Sequence, residues 1–164
     1  MGDNAGTIIC EYCEHEVSAD SDFCPYCGFL FEEAGRAACS THPLDAAVGV
    51  CIICQRLVCE SCSEICEDRI FCSKHQDVLV EDEWALVFES TDVAEAELVK
   101  SVLESAGHHV QGRGFGSIGY VWDGGGESAL SRSLLGQPAR LYVPIPEFLR
   151  ATETLEDWRS AAPN

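Results

Sequence analysis

The sequence predicts an α+β chain in which two small metal-held modules precede one ordinary βαββα domain. Three observations carry this. Ten of the eleven cysteines, together with two histidines, fall into pairs separated by two residues. All the cysteines lie in residues 1–78, whereas the three tryptophans lie in residues 79–164. The cysteine-free part carries strand and amphipathic-helix patterns in the order β-α-β-β-α.

The pairs are Cys10/Cys13, Cys24/Cys27, Cys39/His42, Cys51/Cys54, Cys59/Cys62 and Cys72/His75. A two-residue gap lets both donors of one tight turn reach a single ion at roughly 2.3 Å, and two such turns close a tetrahedron. Twelve ligands therefore predict three zinc sites. A segment of about 35 residues cannot bury a self-sufficient core, so bound metal must supply most of its stability. Disulfides need an oxidising compartment. The stretch Met1–Gly6 has neither the basic region nor the apolar core of a signal peptide. Gly2 lacks the Ser or Thr at position 6 that myristoylation requires, since Gly6 stands there. The longest near-apolar run, Ala46 to Cys54, is too short to span a bilayer. A cytoplasmic protein with reduced thiols is expected.

Formal net charge is −18, and residues 1–78 hold four basic side chains against fourteen acidic ones. Fingers that grip nucleic acid need a positive face, so DNA and RNA are not expected partners.

In residues 1–36, Ile9-Cys10-Glu11-Tyr12-Cys13 and Phe23-Cys24-Pro25-Tyr26-Cys27-Gly28 read as two knuckles. Gly28 permits a positive-φ turn, and Pro25 restricts the chain before closure. Tyr12, Phe23, Tyr26 and Phe29 are placed to shield the metal. Four cysteines saturate the site, which leaves His15 as a solvent-facing loop residue. No βα unit surrounds the CxxC pairs, which argues against thioredoxin-type chemistry. This segment resembles the short zinc ribbons found at the N-terminus of many bacterial proteins. Such ribbons precede unrelated domains, so the resemblance implies metal and no particular activity.

Residues 37–78 hold four pairs. Spacing alone allows a sequential grouping, with Cys39, His42, Cys51 and Cys54 around one ion, or an interleaved one. At Cys39-Ser40-Thr41-His42-Pro43 and Phe71-Cys72-Ser73-Lys74-His75 the segment resembles a B-box zinc finger. That resemblance implies a cross-brace, with Cys39, His42, Cys59 and Cys62 on one ion and Cys51, Cys54, Cys72 and His75 on the other. The eukaryotic module usually ends in two histidines, and this ending is closer to a bacterial variety. Cys66 is the odd thiol: a surface thiol, an alternative ligand if the register shifts or, as the favoured reading, a small apolar filler. Kinship of shape with RING fingers does not by itself imply ubiquitin transfer. Sites with four protein ligands leave no open position for hydrolytic chemistry.

In residues 79–164 a strand starts at Trp84, with Trp84, Leu86 and Phe88 alternating onto one face. Asp92 and Glu95 form a capping box for a helix with Leu98, Val99, Val102, Leu103 and Ala106 inward, ended by Gly107. A short strand at His109-Val110-Gln111, a long glycine-rich loop and a strand at Ala139–Val143 follow. Pro146 starts a second helix carrying Phe148, Thr152, Leu155 and Trp158 inward. This order is most of a ferredoxin-like pattern. The opening strand, the helix from Glu95 to Gly107 and Leu141-Tyr142-Val143-Pro144 resemble a small bacterial family regarded as signal transducers, similar in fold to the nitrogen-regulatory PII proteins. That resemblance implies a fold and brings over no catalytic residue.

The loop contains Gly114-Phe115-Gly116-Ser117-Ile118-Gly119, but no helix starts at these glycines, as a dinucleotide fingerprint would require. Arg113, Arg132 and Arg140 flank it and are candidates for binding a small anion, unless they merely offset neighbouring carboxylates. His108 and His109 diverge along a strand and do not suit one ion. No Ser/His/Asp set, paired-carboxylate cleft or phosphate loop emerges. The expectation is a zinc-binding, non-catalytic adaptor or signalling protein acting through protein–protein contacts. The alternative is a regulator sensing an anion at the arginine-flanked loop.

Overall fold

The computed structural model describes residues 6–31, 37–115 and 137–161. It divides into two compact units, Met1–Val78 and Leu79–Asn164.

Both cysteine-rich segments lie in the first unit. Its described residues form three antiparallel pairs: β1 (Thr7–Ile9) with β2 (Glu16–Ser18), β3 (Gly49–Val50) with β4 (Leu57–Val58), and β5 (Ser63–Cys66) with β6 (Arg69–Cys72). The β5–β6 turn passes through Glu67 and Asp68, both at positive φ (49° and 59°), as a two-residue hairpin of matching twist requires. Strands of two to four residues cannot enclose an apolar core. Sulfur fills much of the interior instead: Cys10, Cys24, Cys27, Cys39, Cys51 and Cys59 are each at most 3% exposed.

The two cysteine segments join through backbone. Val50 N–H donates to the Gly28 carbonyl and Ile70 N–H to that of Cys27, both at 2.8 Å. Gly28 has φ 81°, and a Cβ there would lie 2.0 Å from the Val50 oxygen. Glycine is therefore demanded twice, by the turn and by the approach of β3.

The second unit carries β7 (Val80–Glu81), β8 (Trp84–Ser90), α1 (Val93–Ser105), β9 (Gln111–Arg113) and β10 (Ala139–Pro144). A 3-10 turn (Ile145–Glu147) leads into α2 (Phe148–Ala161). The strands form one sheet in the order β7-β8-β10-β9, every neighbouring pair antiparallel.

The expected alternation of Trp84, Leu86 and Phe88 is not what forms. The register against β10 slips between Leu86 and Phe88, leaving Val87 as an extra residue. That bulge inverts the phase of β8, so Ala85 and Phe88 are the buried positions. The strand expected at 109–111 begins two residues later, because His108 is buried and His109 binds Glu147.

Asp92 caps α1, accepting from the N–H groups of Ala94 (2.8 Å) and Glu95 (3.4 Å). The reciprocal half of the expected box is relayed: Asp92 N–H donates to Ser90 Oγ, whose hydroxyl donates to Glu95. The buried stripe of α1 is Ala96, Val99 and Leu103, whereas Leu98 is 53% exposed and Ala106 is also exposed. On α2, Phe148, Ala151 and Leu155 are buried, with Ala151 in the place expected of Thr152 and Trp158 only half-buried. Four alanines (Ala85, Ala96, Ala139, Ala151) are at most 1% exposed, so much of this core is close approach between elements over small side chains.

Candidate metal centres

Three knuckles share one construction. The first cysteine's N–H donates to the carbonyl five residues on: Cys10 to His15, Cys24 to Phe29 and Cys51 to Arg56, at 2.8–2.9 Å. Its own carbonyl accepts from the residue after the second cysteine, namely Glu14, Gly28 and Gln55, each at 2.8 Å. All three sit at positive φ (61°, 81° and 55°), and one alone is glycine. Two of the remaining pairs use tighter turns. Cys62 N–H donates to the Cys59 carbonyl and His75 N–H to that of Cys72.

These turns deliver the twelve predicted ligands as three sets: Cys10, Cys13, Cys24 and Cys27; Cys39, His42, Cys59 and Cys62; Cys51, Cys54, Cys72 and His75. Within each set the four donor atoms lie within 4.8 Å of one another. The grouping in residues 39–75 is interleaved, and the sequential one does not form. None of the eleven cysteines is in a disulfide.

The separations are those of tetrahedral edges. Cys10 and Cys27 Sγ are 3.8 Å apart, Cys13 and Cys24 3.5 Å, and both Cys39/Cys62 and Cys54/Cys72 3.9 Å. Nδ1 of His42 lies 3.4 Å from Cys59 Sγ and 3.2 Å from Cys62 Sγ. Nδ1 of His75 lies 3.7 Å from Cys51 Sγ and 3.3 Å from Cys72 Sγ. A tetrahedral ion with thiolates at about 2.3 Å and imidazole at about 2.0 Å needs edges of about 3.8 Å and about 3.5 Å. A disulfide would need about 2.05 Å.

Electrostatics point the same way. Burial pushes the Cys24 thiol up to about 11 and that of Cys54 up to about 12. Cys62 rises to about 11 through desolvation and its neighbours Cys59 and Cys39. The four thiols of the first set, or the three of either other set, cannot all be anions without a cation among them. Within the first set, burial raises Cys10, but N–H groups of Cys13 and Tyr12 outweigh it and hold the thiol below its ordinary range. The fold thus aims backbone dipoles where thiolate charge would sit.

Around the first set Tyr26, Phe29 and Phe31 pack on the cysteines with Val17, which the sequence did not single out. Tyr12 stacks on Phe29 at 5.2 Å. His15 is half-buried and not solvent-facing as expected. It stacks on Tyr26 at 4.4 Å, with Nδ1 3.0 Å from the Cys13 carbonyl. Cys66 is no buried filler: it is exposed beside the β5–β6 turn.

In the second unit Arg113 and Arg140 stand opposite each other on β9 and β10. Arg113 pairs with Glu81 and lies 4.7 Å over the Tyr142 ring, and Arg140 pairs with Glu89. The Tyr142 hydroxyl donates to Glu81 at 2.6 Å. Arg132 and most of the glycine-rich segment lie outside the described residues. His108 and His109 both face Glu147, at 3.6 Å and 2.7 Å. Among the described residues no helix is long and apolar enough to cross a membrane.

Searches of protein-family models, of curated proteins and of solved structures find no match to this chain.

Proposed function

We propose that the chain is a three-zinc, non-catalytic scaffold whose rigid acidic surfaces bind another protein in the cytoplasm. The carrying observation is the three closed sets of four donors, with thiolate-rich chemistry and tetrahedral edges that suit zinc. Each set spends four protein ligands on one ion, so the metal's part is to hold the fold. Residues 1–36 then act as a zinc ribbon and 37–78 as a B-box-type cross-brace. In the second unit the succession β8-α1-β9-β10-α2 and the order β7-β8-β10-β9 support a ferredoxin-like domain, for which we propose a signal-transducing role. There β7 takes the edge beside β8 that the fourth strand of that pattern would occupy.

Free thiols suit a reducing compartment, and a net charge of −18 argues against nucleic acid and anionic membranes as partners. The anion-sensing alternative finds less support, because both described arginines already hold a carboxylate. The test is capture from the native cell by the full chain, with and without chelator, alongside metal analysis. Zinc-dependent capture of a discrete protein partner is expected. Capture that is indifferent to zinc, or a preparation with one metal per chain, overturns the reading.

A further inference from the structure

Beside the second ligand set lies a groove of about 630 Å³, lined by Leu44, Asp45, Ala46, Val48, Cys59, Glu60 and Ser61. Its apolar members are held out in water: Leu44 is 101% exposed and Val48 49%. The backbone beneath is fixed. Cys39 N–H donates to the Asp45 carbonyl, Asp45 N–H to that of His42, and Val48 N–H to that of Val58, at 2.8–2.9 Å. Ala38 and Ala46 form a bridge in the same loop. The loop that follows His42 is thus pinned on both sides of the exposed Leu44.

The charge around the groove has one sign. Asp45 and Glu60 have no ion-pair partner among the described residues. A divalent ion held by the three thiolates and one imidazole of this set would leave a net −1 at the groove wall, through Cys59. Phosphate-bearing partners are repelled here. A second copy of the chain brings a formal charge of −18 to the same face.

We propose that this groove docks a short basic peptide segment of a partner protein. One apolar side chain lies between Leu44 and Val48, and a flanking lysine or arginine reaches Asp45 and Glu60. The proposal rests on the scaffold reading and assigns it a surface. An apolar anchor inside a charged rim is the usual division of labour at such sites: the anchor sets the lifetime, and the rim sets orientation and salt dependence.

The test uses the zinc-loaded full chain, isotope-labelled for NMR. The probes are a synthetic heptapeptide with a central leucine between arginines and its counterpart with glutamates in their place. The arginine peptide should shift Leu44, Val48 and Ser61, and salt should weaken it. The glutamate peptide should shift nothing. Leu44→Ser, and separately Asp45→Lys with Glu60→Lys, should each weaken binding at least about tenfold while three metals per chain are retained, the sign that the fold is intact. Equal binding of both peptides, shifts elsewhere, or unchanged affinity in the variants overturns the proposal. So do groove shifts that appear when the protein is concentrated alone, which would make a second copy the occupant. If the variants still capture the wild-type partner from cells, the groove assignment falls and the scaffold reading stands. If the wild-type chain captures nothing yet binds the arginine peptide in the groove, the scaffold reading alone falls.

Discussion

Ile70 donates its backbone N–H to the carbonyl oxygen of Cys27 at 2.8 Å. A ligand of the first set is thereby tied to β6, the strand that ends at Cys72 of the third set. The two centres should not come apart independently. Replacing Cys27 by Ser is expected to weaken metal binding at Cys51, Cys54, Cys72 and His75 as well. Cadmium NMR, one resonance per site, checks this. A third-site resonance unmoved in position and in chelator resistance would show that the hydrogen bond carries no coupling.

Gly28 and Gln55 occupy the same place in two knuckles, and their substitutions should have opposite signs. Gly28→Ala meets the left-handed backbone cost of about 1–2 kcal/mol and an overlap with the Val50 oxygen at 2.0 Å. It should lower the unfolding midpoint clearly. Gln55→Gly relieves a side chain at φ 55° and should be neutral or stabilising by up to about 1 kcal/mol. Thermal unfolding of the metal-loaded proteins decides.

The interleaved grouping makes Cys59→Ser a discriminating change. It should release the metal held by Cys39 and His42 and leave the set of Cys51 and Cys54 loaded. Metal analysis should fall from about three ions to about two per chain. Loss at Cys72 and His75 instead would contradict the geometry.

Glu147 contributes a pH dependence to the second unit. Burial raises its carboxyl. Hydrogen bonds from the His109 ring and backbone, with the charges of His109 and His108, outweigh that and hold it below the ordinary carboxylate range. A group lowered in the folded state adds stability that is complete above its unfolded pKa and lost as pH falls through the folded one. Acid unfolding of wild type should therefore show a component in the carboxylate range that Glu147→Gln removes. Identical acid profiles would rule this group out.

The candidate metal ligands were legible because pair spacing is local: Cys10 and Cys13, or Cys51 and Cys54, declare themselves within one turn. Their grouping in residues 39–75 was not readable from spacing, since each turn can reach more than one neighbour. In the second unit the helices and the strands beside them were readable from periodicity, but their faces were partly misjudged. Ala96 and Ala151 are buried because backbones approach closely there, and an alanine does not mark a stripe. The Val87 bulge reverses strand phase by a single residue, and β7 is too short to signal itself. The groove beside Leu44 had no sequence signal at all, because a lone leucine next to a carboxylate is ordinary on any surface.

Cys66 stands outside all three sets and faces solvent, while its ten fellows fall within the sets that could hold metal. A chain with eleven cysteines should therefore react as a one-thiol protein so long as its ions are in place. A single dye attached at that position becomes a reporter beside the β5–β6 turn, and no cysteine need be removed to install it. Every further equivalent of reagent consumed would then count ligands set free.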